Sequence, residues 1–146
     1  MSTIARTLIV VEVMICFGPM SLVLLLGLVI APMQLQFLFT LEGEGRLGSL
    51  ILLASVGAGM AGLVALTNVL LWILGPSSTF LGRRWTWLGI LLGILPISMY
   101  AFGPVDSIGW RVAGVLPLVC TLHLSYLARA FLFSGQKAGV NPERMR

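Results

Sequence analysis

Charge is scarce in this 146-residue chain: Asp, Glu, Lys and Arg together make up 10% of it, and only five residues are acidic. A soluble domain carries about a quarter charged residues, so a water-facing surface of ordinary composition is excluded. His123 is the sole histidine. A histidine-rich metal centre is therefore excluded, and haem ligation would need a second axial ligand from elsewhere. The two cysteines, Cys16 and Cys120, have no C-x-x-C spacing; this argues against a disulfide scaffold or a structural zinc site and leaves them as small buried hydrophobes. Acidic groups are too few for a recognisable catalytic constellation, and neither a metal nor a cofactor is expected. The net charge of +4 and pI near 9.8 do not indicate a nucleic-acid partner. The basic residues are scattered at the ends of apolar runs rather than gathered on one helix or sheet.

Apolar sequence is plentiful. Hydrophobic residues make up 58% of the chain and the mean hydropathy is +1.04, values that belong to the membrane class. Residues 47–74 run for 28 positions without a charge, long enough to cross a bilayer as a helix. A run over residues 8–30 is too long for the apolar core of a signal peptide, contains Glu12 and lacks a small-residue cleavage site, so it also reads as a membrane helix. Residues 85–102, with Trp85 and Trp87 at one end and Tyr100 at the other, have the aromatic-belt pattern. A fourth run covers about residues 112–133.

The predicted fold is thus an all-α integral membrane protein: a single domain over residues 1–133, with four transmembrane helices in an up-down bundle. Between the first two helices, residues 31–46 are expected to lie at the interface. Odd positions from Met33 to Leu41 are all apolar, as in an extended segment, yet Met33, Phe37 and Leu41 also share a helical face, so both conformations stay open. Residues 134–146 read as a polar, basic, disordered tail. Pro19, Pro96 and Pro117 fall inside predicted helices, where a proline ring removes an amide donor and kinks the axis. Pro19-Met20-Ser21 and Pro96-Ile97-Ser98 occupy similar places in helices 1 and 3, but helices 2 and 4 carry no matching repeat.

Cations set the orientation. Seven Lys or Arg fall on the side of the amino terminus, second loop and tail, against Arg46 and Arg111 on the other, so both termini are expected in the cytoplasm and the protein in a bacterial inner membrane. Helical rise then places Glu12 and Arg129 about 6 Å deep, Asn68 about 9 Å and His123 about 15 Å, all in the inner leaflet. Charged groups at membrane depth pair, face a cavity or reach for the interface. A Glu12–Arg129 ion pair with Asn68 nearby is one expectation; separate extension into water and a working ion site are the others. His123, Tyr126 and Arg129 recur every third residue on helix 4, as a polar seam packed on neighbours or as a relay.

Helix 2 is rich in small residues. Ser55 and Gly59, Ala58 and Gly62, and Gly57 and Ala61 form three overlapping small-xxx-small pairs, which let helix backbones approach within the monomer or against another subunit. Three functions follow. Short loops and a packing spine suggest a non-catalytic accessory subunit bound to other membrane subunits or to copies of itself in the lipid bilayer. Glu12 within Val10-Val11-Glu12-Val13 resembles the membrane-embedded glutamate in the first helix of the small multidrug-resistance transporters, which also have four helices. That likeness covers one helix and implies an oligomeric transporter or channel using Glu12, His123 and Arg129. The strong charge bias and the shallow glutamate depart from that pattern. A membrane enzyme acting on lipid or quinone ranks third.

Overall fold

The computed structural model describes residues 3–40, 42–75, 80–102 and 108–134. Of these, 94% are helical, and no strand occurs among them. Five helices follow one another: α1 (Thr3–Thr40), α2 (Glu44–Leu74), α3 (Arg83–Phe102), α4 (Ile108–Leu127) and α5 (Arg129–Ser134). The loop at 76–79, Gly103-Pro104, the Tyr100 side chain and the expected tail from residue 135 lie outside the described residues.

The segment whose conformation was open is helical. α1 runs unbroken for 38 residues through both Pro19 and Pro32, about 57 Å at the usual helical rise. A proline costs a helix one hydrogen bond, which continuous flanking turns can absorb. The chain reverses at Gly43, whose φ of 66° is reached without strain only by glycine. α2 starts there, with Glu44 in its first turn against the positive end of the helix dipole.

By length and composition, α1 and α2 can each cross a membrane. Their surfaces invert the soluble pattern: Leu8, Met14, Leu22, Val29 and Phe39 of α1 are all exposed, while only Ile9, Phe17 and Met20 are buried. Such a helix belongs in a solvent as apolar as itself.

α1 to α4 pack in a ring, each antiparallel to its neighbours. Along α1–α2, Gln34 meets Ser49, Gly27 meets Val56 and Leu24 meets Gly59, so every step back along α1 matches an equal step along α2. α2 packs most extensively on α3. Gly62 and Gly93 sit so close that a β-carbon on either would come within 2.6 Å of the other's Cα. Gly89 meets Ala65 and the Ala61 carbonyl in the same seam. The small residues of α2 thus divide their work: Gly59 accepts Leu24 of α1, Ala61 and Gly62 accept α3, Ser55 lines a cavity, Ala58 is half-buried, and Gly57 faces open space. Their counterpart, Gly89-x-x-x-Gly93, lies on α3 and was not singled out from the sequence.

The buried core occupies one end of the ring. Ile9 and Phe17, Ala65, Leu66 and Val69, Ile90, and Cys120, Leu124, Ala128 and Leu132 close it from every side. Toward the other end the helices part, leaving a cavity of about 580 Å³ between α1, α2 and α3.

The fourth apolar run begins four residues earlier than predicted and does not continue as one helix. It breaks at Ala128, where the Phe131 amide bonds the Ala128 carbonyl and α5 begins. Neither proline nor glycine marks the place. Two tryptophans hold α5 instead. Trp72 stacks on Phe131 with ring centroids 5.7 Å apart, and Trp87 meets Phe133 edge-on at 5.5 Å. The Trp87 indole also donates to the Leu132 carbonyl at 3.1 Å, one of the last-turn carbonyls a helix cannot satisfy by itself. Trp87 is thus a packing residue, whereas Trp85, 68% exposed, remains free to face an interface.

Candidate functional site

Glu12 and His123 form the centre of the candidate site. Glu12 stands on α1 between Leu8 and Cys16, one turn to either side, and His123 on α4 one turn beyond Cys120. The antiparallel packing of α1 on α4 brings the two turns level. His123 Nδ1 lies 2.7 Å from Glu12 Oε1, a short side-chain hydrogen bond between the two helices. The pair is not sealed inside the bundle. The His123 side chain is 45% exposed and that of Glu12 32%.

Behind the pair, Cys120 is buried and Cys16 half-buried, both as free thiols. Cys120 is within interaction range of both Cys16 and Glu12. The carboxylate, the imidazole and the two thiols therefore share one α1–α4 seam, and the cysteines that read as unrelated in sequence are neighbours. No group of three or more His, Cys, Asp or Glu arranged to hold a metal ion occurs among the described residues.

The expected Glu12–Arg129 pair is replaced by Glu12–His123. Arg129 lies past the break at Ala128, on α5, and its guanidinium sits 4.7 Å above the Tyr126 ring. Arg129 and Tyr126 are both exposed and held together by the cation–π contact.

Asn68 is also elsewhere. Its side chain is completely buried between α2 and the segment entering α3, and it is satisfied at every position. Its amide donates to Thr86 Oγ1 at 2.9 Å and to the Leu81 carbonyl at 3.2 Å, and its oxygen accepts from the Phe80 and Leu81 amides, both at 3.0 Å. Thr86, also fully buried, passes its own hydroxyl to the Gly82 carbonyl at 3.2 Å. Asn68 thus serves as a peptide-mimicking clamp on the chain as it turns into α3, with no part in the Glu12 cluster.

Two further polar contacts escaped sequence reading. Ser49 is buried with its hydroxyl 2.9 Å from Gln34 Oε1, tying the far end of α1 to α2. Thr121 is buried and donates to the Pro117 carbonyl at 2.7 Å. The alternation of Gln34 and Gln36 with apolar residues was the available signal for the first.

What the site can do follows from its parts. A carboxylate and an imidazole in direct contact can exchange a proton or accept hydrogen bonds from an incoming polar group. No family model matches the chain, and no curated protein and no solved structure matches it.

Proposed function

We propose that this protein is an integral membrane subunit that crosses the bilayer four times, through α1, α2, α3 and α4, with both termini in the cytoplasm of a bacterial cell, and that it works by packing against partner membrane proteins rather than by catalysis. The observation that carries this reading is the half-exposed Glu12–His123 pair. Around it, Leu8, Val11 and Ile15 of α1 and Val119, Leu122 and Tyr126 of α4 are exposed. Lipid cannot solvate an acid and a base at membrane depth, and intramembrane ionisable groups face protein or a water-filled cavity. A partner helix laid along the α1–α4 seam would cover the pair and provide polar contacts to it.

Mild-detergent extraction from native membranes followed by native mass measurement tests the reading. A stoichiometric unrelated membrane protein that is lost from the Glu12→Leu variant is the expected result; a chain that runs alone at its own mass would overturn it. A second reading, a small oligomeric transporter, is favoured by the same pair because its two groups are in direct contact, as a proton-coupled site requires. The same measurement separates the two, since a homo-oligomer whose proton-coupled flux disappears in Glu12→Gln supports transport.

A further inference from the structure

The cavity between α1, α2 and α3 lies away from the Glu12–His123 seam and has a shape of its own. Its α1 wall runs from Phe17 to Ile30, about 20 Å along the helix axis. A volume of about 580 Å³ over that length is a mean section of about 30 Å², and carbon atoms in contact sit about 4 Å apart. The cavity is thus an elongated slot wide enough to take a hydrocarbon chain. Its length is more than enough to span the hydrocarbon depth of one leaflet, about 15 Å.

Its walls are apolar on three helices, and only Ser55 and Thr121 carry side-chain hydroxyls there. Thr121 is committed to the Pro117 carbonyl, and a water molecule needs two to four polar partners to stay in such a space. Phe17 and Met20, both buried, close the slot toward the core, while Leu26, Ile51 and Met99 are exposed along it and mark a lateral opening. Interiors do not leave spaces of this size unfilled, since the lining atoms would lose their contact partners. Glycine shapes the slot: Gly59 and Gly27 bring α1 onto α2 beside it, and Gly62 and Gly93 bring α2 onto α3.

We propose that this slot holds one acyl chain of a bilayer lipid, taken in sideways from the surrounding leaflet. The assignment rests on the membrane reading above, and its test is separable from that reading. The protein is purified in mild detergent, exchanged into a delipidating detergent, and its retained lipid extracted and quantified by mass spectrometry against protein. Two variants fill the slot from different walls, Ser55→Phe on α2 and Ile94→Trp on α3, with helicity measured for each.

The expected result is one phospholipid kept per wild-type chain and retention at least about tenfold lower in the filled variants, a change equivalent to about 1.4 kcal/mol of binding. Complete delipidation of the wild type would overturn the proposal. So would wild-type retention in both helical variants, or a retained molecule with a prenyl chain in place of an acyl chain. If alkaline extraction released the wild-type chain from membranes, the membrane reading itself would fail, independently of any lipid count.

Discussion

Replacing Asn68 by leucine keeps the branching of the side chain and removes its hydrogen bonds, with two bulkier methyl groups in place of the amide atoms. Four bonds are lost at once: two donated by the Asn68 amide and two accepted from the Phe80 and Leu81 amides. Interhelical hydrogen bonds in membrane proteins are worth about 0.6 kcal/mol each on average, while a typical net value elsewhere is about 1 kcal/mol. The set therefore contributes about 2 to 4 kcal/mol. The lower end applies if water reaches the Phe80 backbone, whose side chain is 58% exposed. Reversible unfolding in mixed micelles, followed by helicity, gives the loss directly. Thr86→Val removes one of the four bonds together with the bond from the Thr86 hydroxyl to the Gly82 carbonyl, and its loss should be about 1 to 2 kcal/mol. In Asn68→Leu/Thr86→Val the two losses should fall short of additive, because they share a contact. A loss below about 1 kcal/mol for Asn68→Leu would refute the clamp and mean that the turn into α3 is held by something other than Asn68.

The other expectations concern the seams. Gly62→Ala should destabilise the chain by about 1 to 3 kcal/mol, because the new β-carbon meets the Gly93 backbone and not a movable side chain. Gly57→Ala faces open space and should be neutral or stabilising by up to about 1 kcal/mol, as the same unfolding assay will show. A double-mutant cycle of Glu12→Gln and His123→Leu should give a coupling of about 0.5 to 1.7 kcal/mol, whereas Glu12→Gln with Arg129→Gln should give none. Trp87→Phe keeps the ring and loses the bond to Leu132; amide exchange over 129–134 should quicken while the core of α2 stays protected.

Periodicity and composition made the helices legible, because a long uncharged run has few other uses. They also placed the loops closely enough to put Glu12 near α4. They could not choose the partner of Glu12. That choice rests on the register of α1 against α4, which sets His123 level with Glu12; the break at Ala128 beyond it leaves no mark such as proline or glycine. Asn68 was legible as a polar group needing partners, but its depth alone said nothing about its direction. It faces α3, because Thr86 and the Leu81 backbone are there. The small residues of α2 were visible, yet the Gly89-x-x-x-Gly93 motif that receives them was obscured by the bulky residues between its glycines. Cys16 and Cys120 are more than a hundred positions apart, and only the antiparallel pairing of α1 and α4 makes them neighbours.

The docking of α5 has a consequence for how the chain is made. The groups that grip it, Trp72 and Trp87, leave the ribosome before residues 129–134 exist, so the receptor is complete while its ligand is still being synthesised. Since α5 is joined to α4 through a break, it need not fold along with α4. It can close afterwards, once α2 and α3 have zipped along their glycines. A fluorophore quenched by Trp87 and carried at position 133 would then report the last event of assembly, with a delay that lengthens when Gly62 is enlarged.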